Sequence, residues 1–363
     1  MMLMNKKKQI LPLLLSCALL LSCAARKTTS ALPAKKSVKT AMQNVFDWQV
    51  ANPVVGNVKN YDDWARSVFY SGIIRAYETT KDKIYLNEAV RWSESLNYKL
   101  ANRYRHADDH TRAQAYLGIY AFKKDPKIIA HTKAVYDSLI VDPKPGRVEW
   151  WWCDALFMSP PVLARLAEAT GEQKYNEFMN KMWWDTTDFL FDKEENLFYR
   201  DKSFFDRRSP NGKKIFWSRG NGWVMGGLVQ VLEHLPKSDP NYKKFEDLYL
   251  KMAKRIASIQ QADGLWRPNL ADPAEYTNKE TSGSAFFVFA LAWGINNGYL
   301  EKAAYLPIVL KGWQGLNEQV TPEGKLTWVQ KIGSKPELVK SEDNQEYGSG
   351  AFLMAGTELL KMK

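Results

Sequence analysis

The chain has 363 residues, 45% of them hydrophobic, with a net charge of +11 and three cysteines. That composition excludes a disordered or fibrous protein. Fourteen tryptophans and seventeen tyrosines supply flat rings, which serve equally as core and as sugar platforms.

The chain opens MMLMNKKKQILPLLLSCALLLSCAARK. Lys6, Lys7 and Lys8 form a positive region ahead of the apolar run Ile10 to Leu21. A spanning helix needs roughly 20 apolar residues, so this run reads as a secretory signal over residues 1–22. Leu20-Leu21-Ser22-Cys23 has the pattern of a bacterial lipobox, with Cys23 as the lipid-bearing residue. The expectation is therefore an exported lipoprotein, periplasmic or at the cell surface, held to the membrane only through that lipid. Cys153 is then left without a disulfide partner, and no histidine motif accompanies it, so it reads as packing. Removing the three lysines of the leader leaves a charge near +8. An exported chain meets little nucleic acid, so the basic balance points to an acidic polysaccharide.

Residues 23–43 are rich in Ser, Thr, Lys and Ala and read as a flexible tether before a single domain over 44–363. Apolar residues at i, i+3, i+4 and i+7 then recur along the chain. They predict helices over Trp64–Tyr77, Leu86–Leu100, Arg112–Phe122, Pro126–Leu139, Ala155–Thr170 and Lys174–Leu190. Further helices are predicted over Gly222–Leu235, Tyr242–Gln261, Ser282–Asn296, Lys302–Val320 and Gly348–Met362. Several pairs end in a small polar turn and reopen on a tyrosine, with pairs about 45 to 65 residues apart, the signature of stacked helical hairpins. This predicts an all-α chain closed into an (α/α)6 barrel. Asn196–Arg200 and Lys325–Gln330 read as short β-like pieces.

The unusual chemistry precedes the helices that such a barrel turns inward. Trp150, Trp151, Trp152 and Phe157 crowd Asp154. One reading makes Asp154 an N-cap. The other makes it an acid whose pKa the aromatic walls raise, against the lowering effect of the helix dipole. His106-Ala107-Asp108-Asp109-His110 is a second cluster, readable as a cap or as part of a site. Phe216 to Trp223 (FWSRGNGW) is a third, in which Arg219 suits a bound carboxylate or a stack on tryptophan in the core. No spacing fits a metal site or a phosphate loop, so neither a metal nor another cofactor is expected.

WWWCDALFMSPPVLARLAEATG, FWSRGNGWVMGGL and DGLWRPNL…ETSGSAFFVFAL resemble the unsaturated rhamnogalacturonyl hydrolases of glycoside hydrolase family 105, related to the unsaturated glucuronyl hydrolases of family 88. The resemblance runs in order from about Asn44 to Leu360. It implies an (α/α)6 barrel that takes the Δ4,5-unsaturated uronic acid from the non-reducing end of lyase-generated oligosaccharides. Rhamnogalacturonan, a pectin, is the first substrate it suggests. The same reaction on unsaturated ulvan or glycosaminoglycan fragments is the alternative, and a non-catalytic sugar-binding lipoprotein is the reading from another class. The resemblance places Asp154 as general acid and base. Asp108 and Asp109 both qualify as the second carboxylate, and Asp109 is taken. Arg219 and Trp223 fall on the family's R-G-N-G-W motif as uronate contacts, and Trp152 and Trp217 as ring walls. His110 and Arg200 complete the expected substrate contacts. Some members carry a histidine near Arg200, so this arginine is a departure at the adjacent subsite. The expected partner is an unsaturated acidic oligosaccharide bound by a monomer.

Overall fold

A computed structural model of the chain describes residues 31–54 and 63–363. The leader, Cys23 and the first part of the expected tether lie outside the described residues. The elements run α1 (Lys35–Ala51), α2 (Asp63–Thr80), α3 (Lys83–Ser95), α4 (Ala107–His110), α5 (Arg112–Lys123) and α6 (Lys127–Val141). They continue with α7 (Gly146–Glu149), α8 (Ala155–Met158), α9 (Pro160–Thr170), α10 (Lys174–Leu190), β1 (Phe191–Asp192) and β2 (Leu197–Phe198). The last third holds α11 (Ser218–His234), α12 (Tyr242–Ser258), α13 (Thr281–Asn296), α14 (Lys302–Asn317) and α15 (Glu346–Lys361).

Among the described residues six helices, α2, α5, α9, α11, α13 and α15, form an inner ring. Each packs on the next, and α15 returns to α2. The outer ring α3, α6, α10, α12, α14 and α1 backs them in turn, so the (α/α)6 barrel is closed. Burial patterns follow the layers. In α13 every residue from Thr281 to Gly294 is buried, as an inner helix with neighbours on both sides requires. In α12 the buried residues Phe245, Leu248, Tyr249, Met252 and Ile256 fall on one stripe and its other face meets solvent. The ring closes by backbone contact: a Cβ on Gly72 would stand 2.4 Å from the Gly350 carbonyl oxygen, so α2 and α15 meet where neither carries a side chain.

Two expectations change. The boundary at residue 44 falls inside α1, because Val38 and Met42 are buried with Val45 and Phe46 on one helical face against α15. Residues 35–43 therefore belong to the barrel. The single helix expected over 155–170 is two pieces, α8 and α9, broken at Ser159. Pro160 and Pro161 lack the N–H groups that a continuous helix would use, and they open a new helix instead. Gly171 ends α9 with φ +75°, as expected for a left-handed cap.

Turns between inner and following outer helices are short, as at Lys81–Asp82 and 171–173, and close one end of the barrel. A buried ion network seals that end. Arg75 on α2 donates to Glu233 on α11 at 2.6 and 2.8 Å and to Glu358 on α15 at 3.2 Å. Asn296 on α13 donates to Glu358 at 2.9 Å, and Arg165 on α9 to Glu78 on α2 at 3.2 Å. The long segments 96–106, 142–154, 191–217, 259–280 and 318–345 gather at the other end, around the N-termini of the inner helices. The β1–β2 ladder lies in one of these segments, and Asn221 holds it to α11 by accepting from Phe198 N at 2.7 Å and donating to Phe198 O at 3.0 Å.

Candidate active site

Asp154 is the residue before α8, at the open end of the barrel. Its backbone is helical and its side chain makes no capping hydrogen bond, so the N-cap reading fails on geometry. The carboxyl is 7% exposed. The Cys153 thiol donates to its Oδ1 at 3.4 Å. Burial holds the Asp154 carboxyl above the usual carboxylate range, against the opposing positive charges of Arg200 and Arg219. The tension with the helix dipole thus resolves upward, which is reasonable for a helix as short as α8. Cys153 N donates to the Arg200 carbonyl at 2.9 Å, and this backbone bond brings Arg200 beside the acid. Cys153 is fully buried and its thiol is pushed far up by burial, consistent with packing.

Asp108 and Asp109, adjacent in α4, have different surroundings. Asp109 is buried and accepts from Arg103 N at 2.7 Å, Arg103 Nε at 3.0 Å and Arg103 Nη2 at 2.5 Å. It fastens the 99–106 segment to α4. Asp108 keeps 18% side-chain exposure and is raised to about 7, first by burial and then by the negative charge of Asp154. Asp108 thus feels the charge of Asp154, while Asp109, the one taken from the sequence, is engaged by Arg103. His106, whose Nδ1 lies 3.6 Å from Asp108 Oδ2, is depressed to about 4 by burial and by Arg103, and stays neutral at neutral pH. Its ring rests on Trp152 with centroids 4.7 Å apart.

Several expected substrate contacts are occupied elsewhere. His110 is buried, with Nε2 donating to the Tyr104 carbonyl at 2.7 Å and Nδ1 3.0 Å from Ser159 Oγ. Tyr136 Oη lies 2.7 Å from the same Ser159 Oγ, so the imidazole links the starts of α5 and α9. Burial lowers its pKa to about 4 and keeps it neutral. Arg219 is fully buried and donates to the carbonyls of Gln330 at 2.7 Å and Lys331 at 2.9 Å. Its guanidinium lies between the rings of Trp217 (4.3 Å) and Tyr347 (4.8 Å). It pins the 318–345 segment and supplies a fixed charge near Asp154, in place of the expected bidentate contact. Trp217 is buried with its Nε1 donating to Gln330 Oε1 at 2.9 Å. Trp223 lies in the core against Phe157 and Phe286, and Trp152 is 3% exposed.

Arg200 does reach the mouth. It donates to Asp201 at 2.8 Å, and its guanidinium stands 4.9 Å above the ring of Trp151. Trp151 is 42% exposed, and it presents the open ring that the sequence assigned to Trp152 and Trp217. It stands between two buried tryptophans, Trp150 and Trp152. The geometry joins two carboxyls of raised pKa, an arginine and an exposed indole at one end of a closed barrel, with the outlet at the opposite end sealed. That arrangement suits acid–base chemistry on an anionic sugar.

The fold and site define a barrel hydrolase of the carbohydrate-active class. Residues 27–363 match the family model Glycosyl Hydrolase Family 88, and the chain belongs to that family of glycoside hydrolases. It is similar to an unsaturated 3S-rhamnoglycuronyl hydrolase of Formosa agariphila, 38% identical over 377 residues, with 98% of this chain and 100% of that one covered. Among solved structures it is similar to a glycosyl hydrolase family 88 protein from Bacteroides vulgatus (29% identity, TM-score 0.84, 90% of this chain and 99% of that one). It is also similar to a protein described as a polysaccharide lyase (30% identity, TM-score 0.83, 90% and 98% covered).

Proposed function

We propose that the protein removes a Δ4,5-unsaturated uronic acid from the non-reducing end of an oligosaccharide whose next sugar is rhamnose. The observation that carries this reading is the pairing of Asp154 with Asp108 beside Arg200 and Trp151. The Asp154 carboxyl, whose pKa burial raises, is the group that gives a proton to C4 of the C4=C5 bond. Positive charge then resides at C5 and the ring oxygen. Water adds at C5, losing a proton to the Asp154 carboxylate, which is thereby restored. The hemiketal opens by breaking the bond from C5 to the ring oxygen, and the free hemiacetal at C1 expels the reducing-side sugar as its alcohol. No displacement occurs at the anomeric carbon, so the carboxyl separations that distinguish retaining from inverting enzymes do not govern the outcome. Asp108 is the second carboxyl, and the two share a proton because like charges at close range do not both ionise readily. Arg200 neutralises the uronate and Trp151 backs the sugar plane.

Rhamnose follows a uronic acid both in rhamnogalacturonan and in the substrate that the Formosa agariphila relative's name describes. That name favours, as a second reading, rhamnose bearing a 3-sulfate. The test is a panel of unsaturated disaccharides: the unsaturated uronate joined to rhamnose through an α- or a β-linkage, a rhamnose 3-sulfate form, and a glycosaminoglycan unit. Loss of the ultraviolet absorbance of the conjugated C4=C5 acid is followed. Rhamnosides are expected to bleach, and Asp154→Asn to slow bleaching by about 10²–10⁴-fold. No bleaching of any member sinks the reading, and a rise in absorbance on saturated polymer marks a lyase.

The N-terminal sequence supports export as a lipoprotein acylated at Cys23, so that the enzyme works on fragments outside the cytoplasm. Metabolic labelling with a fatty acid should mark the wild type and not Cys23→Ala. Equal labelling of both discards it.

A further inference from the structure

A cavity of about 660 Å³ lies away from Asp154, on the outer wall between the first halves of α10 and α12 and the 235–241 turn. It is therefore at the sealed end of the barrel. Its volume falls in the range of small-ligand sites. Asn176 and Asn180, one helical turn apart on α10, line it and are 2% and 8% exposed. Asn180 Nδ2 donates to Asp239 and Asn176 Nδ2 to Gln173 Oε1. The Oδ1 atoms of both asparagines are buried and have no hydrogen-bond partner among the described residues. A buried amide oxygen without a partner is costly, so two on one wall need an explanation.

Trp184 completes the wall, half-buried against Phe245, with the Lys244 ammonium 5.7 Å from its ring. The Trp184 indole N–H also lacks a partner among the described residues. Charges on the lining balance, with Lys181 and Lys244 against Glu177 and Asp239. A balanced, amide-rich wall with an indole is poorly suited to a phosphate or a polyanion. It suits hydroxyl groups, which both donate and accept, on a ring that can rest against the indole. A second cavity of about 390 Å³ shares Trp184 and Lys244 in its lining and reaches Asn196 at the β1–β2 turn, so the two lie side by side along α10 and α12.

We propose that these two cavities form a second carbohydrate-binding site, separate from the mouth, which holds a saturated stretch of an oligosaccharide chain against Trp184, Asn176 and Asn180. From the proposed function it takes only that the enzyme meets polymer fragments. The site would keep the enzyme on longer chains while the mouth engages free ends.

The test uses the full chain and a saturated glucuronate–rhamnose tetrasaccharide, which has no C4=C5 bond to react. Calorimetric titration is expected to show binding to wild type. Lys244→Ala and Asn180→Ala, and separately Trp184→Ala, should weaken it about tenfold or more, with turnover of an unsaturated disaccharide unchanged. Preserved turnover establishes that each variant is folded. Lys244 is exposed, so its variant separates binding from packing loss. The proposal is overturned if the tetrasaccharide fails to bind wild type, if the three variants bind it as well as wild type, or if Arg200→Ala abolishes binding and the cavity variants do not. None of these outcomes bears on bleaching of the disaccharide panel, so the two readings fail independently.

Discussion

At the scale of single residues the site turns on how two neighbouring aspartates are used. Asp109 gives its oxygens to Arg103, and Asp108 keeps its carboxyl in the mouth. Asp109→Asn should therefore lower stability, since it weakens a buried charged pair, while the molecules that still fold keep their turnover. Asp108→Asn should do the reverse, with kcat lost and the melting temperature nearly unchanged. Thermal melts paired with kcat per folded molecule decide it, and an inactive but fully stable Asp109→Asn would restore Asp109 to the chemistry. The pair of carboxyls must hold one proton to work, so activity should fall as pH rises through the region of about 7 in which Asp108, the partner of Asp154, titrates. Cys153 tunes the acid itself. A serine hydroxyl is a stronger donor than a thiol and favours the ionised Asp154, so Cys153→Ser should move that alkaline fall to lower pH. Cys153→Ala, which removes the donor, should move it to higher pH. Superimposable pH profiles for all three proteins would remove Cys153 from any positioning role. None of this division was legible in the string Asp108-Asp109. It depends on Arg103, which the fold returns to α4 from the preceding segment.

Elements were the most legible level, because helical periodicity and Gly or Pro punctuation are local. The span Lys174–Leu190 came out as predicted, and the start of α5 at Arg112 likewise. Where prediction failed, tertiary contact or proline had overridden pattern. Residues 35–43 looked like a tether because lysines and threonines outnumber apolar residues, yet Val38 and Met42 join Val45 and Phe46 in seating α1 on α15. A chain beginning at residue 35 should match the full described fold in stability. One beginning at residue 44 loses two buried side chains worth about 1.5–3 kcal/mol each. Denaturant midpoints should separate the two truncations, and equal midpoints would return 35–43 to the tether. The glycines of FWSRGNGW also acquire a reason here: a Cβ on Gly220 would lie 3.1 Å from the Cys153 sulfur, and one on Gly222 3.1 Å from Gly283 Cα. They let α11 approach the acid's segment and α13 closely, so the motif serves packing at the site as much as contact with a ligand.

Over the whole molecule the sealed end has a physical consequence for the open one. Arg75, Glu233 and Glu358 come from three inner helices far apart in sequence, and they join where the barrel would otherwise be a through-channel. Burial alone would raise the Glu233 carboxyl, but the charge and hydrogen bonds of Arg75 outweigh it and hold it at about 2. A carboxyl lowered on folding contributes stability that is present above its unfolded value of 4.5 and lost as pH falls from there toward about 2. Glu233→Gln leaves Arg75 buried with a partner missing, and should cost roughly 3–5 kcal/mol and flatten the acid limb of stability. Urea unfolding at pH 7 and pH 3 measures both effects. A loss below about 1 kcal/mol at pH 7 would show the network to be incidental.

By itself the sequence determined most of the helical hairpins, their order and the closed barrel they imply, and it singled out Asp154, because these rest on short-range periodicity and on motifs contiguous in the chain; it missed α1. Only the tertiary structure decided which of two adjacent aspartates feels Asp154, which of three adjacent tryptophans is exposed and which of two arginines stays out of the core. Adjacent side chains differ in direction, and each direction acquires meaning only from what other segments place there. Arg103 claimed Asp109 and the 318–345 carbonyls claimed Arg219, which left Asp108 and Arg200 to act on Asp154 by charge and Trp151 to stack under Arg200.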